Sequence, residues 1–264
     1  MKIYILTDLE GVGGVCLTQH VEAGGALYQE ARHLLTQEVN AAVQGAIEGG
    51  ATEILVRDGH GANGGYNLIF DDLHDGALYM MGSPTDSYLS ELDDSFDAMF
   101  QLGMHPMAGT MHGVLEHTQS SAAWEEMRAN GRPMSEMSFC AAIAGEMGVP
   151  CVLVTGDQAV CDEAREVLGP EVELVVTKVG LSRHCAIMKP AAVVREMIRE
   201  GAHAAMGKVG KVTPLDIGKP VEIAVRFKHV YMADGHKCAG KRRLDSRTIA
   251  VTGNTAREAF DNLA

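Results

Sequence analysis

The sequence predicts an α/β fold, a mainly parallel sheet flanked by helices, with a smaller C-terminal α+β domain. Short apolar, β-prone runs alternate with segments of helical periodicity, the order that builds a parallel sheet covered on both faces. Those runs end in glycines and polar side chains, and the carboxyl ends of strands are where open α/β sheets bind ligands. From about residue 190 the pattern changes to a helix, a proline-containing connector and two strands. The expected division is therefore 1–189 for the larger domain and 190–264 for the smaller, the two packing as one unit or standing apart.

The opening, Lys2-Ile3-Tyr4-Ile5-Leu6-Thr7, reads as a buried strand that runs into Asp8 and Glu10 and then into Gly11, Gly13 and Gly14. If the chain stays extended, Asp8 and Glu10 leave the same face. Like charges held that close repel unless a cation lies between them, and the glycines let the backbone bend around it. A dinucleotide fingerprint fits poorly, because Cys16 stands where a third glycine belongs and the carboxylates would push against a pyrophosphate.

Ala31, Leu34, Leu35, Val39, Ala42, Val43 and Ala46 recur at helical spacing and predict a helix over 28–47, stopped by Gly49-Gly50. A strand over 53–56 follows and ends in Arg57-Asp58-Gly59-His60. Short strands are expected over 77–81 and 98–102, the second ending in Gly103-Met104-His105-Pro106. Residues 107–119 read as loop, 130–133 as a turn, and 135–147 as a helix with Glu136 in its first turn. A strand over 151–155, a helix over 158–168 and a strand over 172–177 complete the larger part. Beyond it come a helix over 190–206 with proline at its start, a connector over 213–220, and strands over 221–227 and 248–252. The basic stretch 236–243 between those strands reads as a solvated or inter-subunit loop, or as a lining for a channel that admits peptide carboxylates.

A chain of 264 residues that is 46% hydrophobic can build a sizeable core. Its 35 acidic against 22 basic residues give a formal charge of −13, which argues against nucleic acid and anionic membranes as partners. No apolar run approaches the length of a bilayer crossing and no basic, apolar leader opens the chain, so a cytoplasmic location is expected. The six cysteines contain no C-x-x-C pair, which indicates neither a zinc ribbon nor a disulfide framework. Cys140, one helical turn beyond Glu136, reads as a buried structural thiol.

Successive strand ends of a parallel sheet meet in space, and here they carry Asp8 and Glu10, His60, and His105, to which Glu136 adds a group from a helix start. Carboxylates alone would suit magnesium or calcium, whereas imidazoles mixed with carboxylates suit zinc or a similar first-row ion. These ligands exceed the needs of one four-coordinate ion, and sharing Asp8 between two ions is the economical arrangement. Taken singly, each residue has a plainer role: a histidine after a strand commonly serves as a hydrogen-bonding loop residue, and acids are favoured near helix N-termini.

Thr7-Asp8-Leu9-Glu10-Gly11, Asp58-Gly59-His60, Gly103-Met104-His105, Gly113-Val114-Leu115-Glu116-His117-Thr118 and Asn130-Gly131-Arg132-Pro133-Met134-Ser135-Glu136 together resemble the M55 metallopeptidases, the DppA-type D-aminopeptidases. The resemblance runs from residue 1 to about 190 in matching order. It implies two zinc ions per subunit held by Asp8, Glu10, His60, His105 and Glu136, with Asp8 bridging, and it places His117 on the catalytic histidine. It further implies an aminopeptidase that removes an N-terminal residue, a D-amino acid by family habit, from short peptides or amino acid amides, and a homo-oligomer, a decamer in the family. Met111-His112 adds a residue and a second imidazole to the loop before His117, and Pro106 stiffens the backbone beside His105. Hydrolysis of L-peptides or other small amides is the alternative within the same chemistry. A bimetal phosphoesterase would call for more basic groups near the site, and a non-catalytic metal- or peptide-binding homologue for a lost ligand.

Overall fold

β1 (Lys2–Thr7) sits at the middle of the larger sheet, which is why its residues from Ile3 onward are all buried although only one edge of the sequence pattern is polar. The structure, a computed structural model, describes residues 1–83, 85–236 and 239–263. After β1 come a short helix α1 (Thr18–Val21), the long α2 (Tyr28–Glu48) with Gly49 at its C-cap, and β2 (Glu53–Asp58). β3 (Leu78–Met80), β4 (Ala98–Met104), β5 (Trp124–Ala129) and β6 (Arg132–Pro133) precede the buried helix α3 (Glu136–Gly145). β7 (Cys151–Asp157), α4 (Gln158–Leu168), β8 (Glu173–Ser182), β9 (Cys185–Met188) and α5 (Ala191–Met206) follow. The chain closes with β10 (Val221–Phe227), α6 (Val230–Asp234), β11 (Arg242–Arg243), β12 (Thr248–Gly253) and α7 (Ala256–Asp261).

The larger sheet has the order β3-β2-β1-β4-β7-β8-β9, parallel throughout except at the β8–β9 hairpin. The order reverses at β1, with β2 on one side and β4 on the other, so a crevice opens beyond the carboxyl ends of these three strands. Alternation along β1 divides the core: Ile3 and Ile5 pack with α2 and α5, while Tyr4 and Leu6 face the apolar cluster that includes α3 and the second sheet. That second sheet, β11-β12-β10-β5-β6, is antiparallel.

The strands expected at 98–102 and 172–177 both run longer, to Met104 and Ser182. β5 and β9 form where no strand was expected. In β5 the outward positions are Glu125, Glu126 and Arg128, so charge masks a strand whose Met127 and Ala129 are fully buried. Because β5 and β6 pair into the sheet that holds β10 and β12, that sheet joins residues from both sides of position 190, and α5 packs on α2 rather than apart from it. Within the basic stretch, Arg242 pairs with Glu222 and Arg243 lies 3.2 Å from Asp234, while Lys237 and Cys238 fall outside the described residues. Among the described residues no helix is long and apolar enough to cross a membrane.

Candidate metal centre

Two glycines let the β1 and β4 ends come together. Gly11 N–H donates to Gly103 O at 2.7 Å, and a Cβ on Gly11 would lie 2.0 Å from Met104 O. Gly103 has φ +68°, and a Cβ there would lie 2.2 Å from Asp8 O. No larger side chain fits either position, and the contact sets Asp8 and Glu10 directly beside His105. On the other flank Gly59 N–H donates to Thr7 O at 3.1 Å and delivers His60. Asp58, fully buried, holds the loop beyond His60 by accepting from the backbone and side chain of Asn67 and from Leu68 N–H. Glu136 enters from the start of α3, whose N-cap Ser135 accepts from Ser138 N–H at 3.1 Å.

Asp8, Glu10, His60, His105, Glu136 and His117 thereby meet in one cluster. Asp8 uses its two oxygens in different directions: Oδ1 is 2.9 Å from His60 Nδ1 and Oδ2 is 3.4 Å from His105 Nε2. Glu10 Oε2 is 3.2 Å from His60 Nδ1, and Glu136 Oε1 is 3.2 Å from His105 Nε2 and 3.5 Å from His117 Nε2. The rings of His105 and His117 stack with centroids 3.9 Å apart.

All three imidazoles are tethered at the outer nitrogen to a backbone carbonyl. His60 Nε2 donates to Val21 O at 2.8 Å, His105 Nδ1 to Pro106 O at 3.0 Å, and His117 Nδ1 to Leu115 O at 2.9 Å. Each ring therefore turns its other nitrogen toward the carboxylates, the orientation that outer-shell carbonyls give to metal-binding histidines. Pro106 and the short helix α1 acquire a purpose here, since they supply two of those carbonyls.

Three carboxylates in a buried cluster demand positive charge. Burial by itself would raise the Asp8 carboxyl, but the His60 hydrogen bond and the charges of His105 and His60 hold it well below the usual range. Burial would lower His105, yet Glu136, Asp8 and Glu10 push it up to about 10, and Glu10 and Asp8 raise His60 well above its ordinary value against the same burial. Glu10 Oε2 and His105 Nε2 are buried without a hydrogen-bond partner among the described residues. Orphaned donors of this kind, mixed nitrogen and oxygen in type, fit first-row metal ions. Two overlapping groups have mutually close ligand atoms, Asp8 with Glu10 and His105, and His105 with His117 and Glu136.

Asp8, Glu10, His60, His117 and Glu136 line a cleft of about 480 Å³ that Tyr88, Gln119, Cys140 and Arg183 also line, with His105 buried behind them. Burial pushes the Cys140 thiol up to about 12, and it lies 3.4 Å from the Tyr88 hydroxyl. The extra loop residues go to the surface: Met111 is exposed and His112, at φ +62°, sets Nδ1 3.1 Å from Leu181 O. His112 thus binds the β8–β9 hairpin while His117 faces the cleft.

Arg183 was missed by sequence reasoning. It occupies the turn of that hairpin, accepts from Leu115 N–H at 3.0 Å and donates to Glu116 O and, at 2.8 Å, to Glu116 Oε1. It braces the loop on both sides of His117, and only its position in a polar turn could have hinted at this. Lys178, fully buried on β8, was missed as well.

A family model described as D-aminopeptidase, of the M55 peptidases, matches residues 1–264. A D-aminopeptidase of Bacillus subtilis (strain 168) is 31% identical over 236 residues, which cover 89% of this chain and 84% of that one. Among solved structures, the Zn-dependent D-aminopeptidase DppA from Bacillus subtilis, described as a self-compartmentalizing protease, superposes with a TM-score of 0.94 at 27% identity, covering 100% of this chain and 95% of the other.

Proposed function

The chain belongs to the M55 peptidase family, the D-aminopeptidases, and from that membership we propose that it is a zinc-dependent aminopeptidase releasing the N-terminal residue, a D-amino acid, from short peptides or amino acid amides. The observation that carries this reading is the common tethering of His60, His105 and His117, each with its free nitrogen aimed at a carboxylate. In this reading Asp8, Glu10, His60, His105 and Glu136 would hold two zinc ions, with Asp8, whose two oxygens face His60 and His105, shared between them.

When bound, the two ions supply the Lewis acidity that makes water a nucleophile at neutral pH. The protein's own groups do the rest. His117 is the catalytic residue: its Nδ1–H donates to Leu115 O, so Nε2 is the atom that takes up the proton released by the attacking water and then, as Nε2–H, stabilises the oxyanion or delivers that proton to the departing amine. The stack on His105 and the brace from Arg183 keep that nitrogen over the cleft floor. The carboxylates that surround the centre receive the free ammonium group of the substrate, which favours peptides with an unblocked N-terminus. We extend to this chain a cytoplasmic setting and assembly into a closed homo-oligomer, a decamer on the family resemblance, which would restrict the cleft to small peptides.

The test is hydrolysis of paired D- and L-aminoacyl p-nitroanilides and dipeptides by protein stripped of metal and reloaded with zinc. Zinc-dependent release from the D-series alone is expected. Equal release from the L-series overturns the stereochemical part, and no release from either series by zinc-loaded protein overturns the aminopeptidase reading.

A further inference from the structure

Lys178 is fully buried on β8, the sixth of that strand's 10 residues. Its ammonium donates to three carbonyls of one loop, Glu10 O at 2.5 Å, Val12 O at 2.7 Å and Val15 O at 2.6 Å. The adjacent Thr177 hydroxyl donates to Gly11 O at 2.6 Å, and Glu38 on α2 accepts from Gly13 N–H at 2.8 Å. A glycine-rich loop has little stiffness of its own, and this one is held from outside at nearly every residue from 10 to 15.

The arrangement is that of a cation coordinated by converging oxygens, except that the cation is part of the chain. Burying an ammonium is unfavourable unless its hydrogens are all satisfied, and here three carbonyls satisfy three hydrogens. None of these bonds reaches a carboxylate, so the lysine leaves the Glu10 side chain free. Its hydrogen bonding to Glu10 is through the backbone, its charge acts on the carboxylate besides, and that carboxylate ends in the buried Oε2, 3.2 Å from His60 Nδ1.

We propose that Lys178 is a positioning residue for the Glu10 half of the metal centre: by gathering the carbonyls of residues 10, 12 and 15 it fixes where the Glu10 carboxylate stands before any ion arrives. The inference rests on the metal reading given above. The three bonds of Lys178 go to residues 10, 12 and 15, whereas His105 and Glu136 are delivered by β4 and α3. Preorganisation of a ligand by its supporting contacts is what makes a metal site tight rather than merely present.

The experiment competes zinc off the loaded protein with a chromogenic chelator, for wild type, Glu10→Gln, Lys178→Met and the double variant. Methionine keeps most of the volume and removes the charge and its three bonds. Lys178→Met is expected to weaken one equivalent of zinc at least tenfold, as Glu10→Gln does, to leave the other equivalent unchanged, and to add nothing in the Glu10→Gln background. That non-additivity is the signature of action through Glu10, which general damage to the fold would not produce. Wild-type affinity for both equivalents in Lys178→Met, or losses that multiply in the double variant, overturn the proposal. If Lys178→Met does not fold, Thr177→Val, which removes the hydroxyl's bonds to Gly11 O and Gly156 O and leaves Lys178 in place, replaces it: a loss confined to the same equivalent supports the clamp and wild-type binding overturns it. A wild-type chain that retains no zinc refutes the metal reading itself, before any variant is compared.

Discussion

Replacing Gly103 with alanine tests whether the contact between the β1 and β4 ends builds the site. Two penalties act at this residue. A non-glycine residue at φ +68° costs about 1–2 kcal/mol. The added Cβ would also lie 2.2 Å from Asp8 O, against an ordinary contact near 3.4 Å, so the two strand ends must part by about an ångström. Overpacking of this kind typically adds about 1–3 kcal/mol, giving a total loss of about 2–5 kcal/mol. The displaced segment is the one that carries Asp8, and a shift of about 1 Å in a catalytic group can lower the rate about 10²-fold. Gly148→Ala is the control, because Gly148 has φ +78° with nothing within 4 Å of the added carbon, so it suffers only the conformational penalty. Urea unfolding and kcat/KM on a D-aminoacyl p-nitroanilide measure both effects. Gly103→Ala should lose more stability than Gly148→Ala and, unlike it, lose activity. If the two variants are equally stable and equally active, the close approach does not position the site.

His117→Ala should lower kcat by about 10²–10⁴-fold while zinc content stays at the wild-type level, measured by atomic absorption alongside kinetics; loss of zinc in proportion to activity would instead make His117 a ligand. Burial raises the Glu38 carboxyl to about 8, with Lys178 and Arg195 opposing, so the folded state holds a proton that the unfolded chain releases from about pH 4.5 upward. Its contribution is complete below that unfolded value and is lost as pH rises through 8; Glu38→Gln should flatten this part of the stability-pH curve, and an unchanged slope in urea titrations between pH 5 and 8 would refute the assignment. Among the described cysteines, exposed Cys185 should react first with a disulfide reagent at pH 8, with Cys140, Cys151 and Cys161, each pushed up to about 12 by burial, reacting only on unfolding. Mass mapping of the labelled residues decides it.

The strand ends were legible because each is an apolar run broken by glycine and a charged or imidazole side chain, a local pattern that a parallel sheet turns into proximity. Asp8, Glu10, His60 and His105 could be named from that pattern, and Glu136 from its place after Ser135 at a helix start. β5 was not legible, since its solvent-facing positions are charged and its few inward residues do not make an apolar run. Nor was the shape of the 107–119 loop, where His112, Leu115 and Gln119 adopt positive φ against their own preference. Those conformations are imposed by bonds from Arg183, Asp157 and Glu136, which are distant in the chain. The extra Met111-His112 pair likewise gave no sign that its imidazole would turn to Leu181 instead of to the centre.

Composition and periodicity determined the class of fold, the sheet edge at which the polar side chains meet and the kinds of side chain gathered there, because burial and chain geometry act through residues that are neighbours in sequence. Which oxygen of Asp8 faces which histidine, which nitrogen of each ring is free, and how the glycine loop is held were decided only by the tertiary structure. Lys178 shows the reason. In sequence it is one lysine in a run of β-prone residues, where a charge ordinarily marks a solvent-facing position. Its burial becomes tolerable only when three carbonyls from a loop more than 160 residues away converge on its ammonium, a circumstance no local pattern encodes.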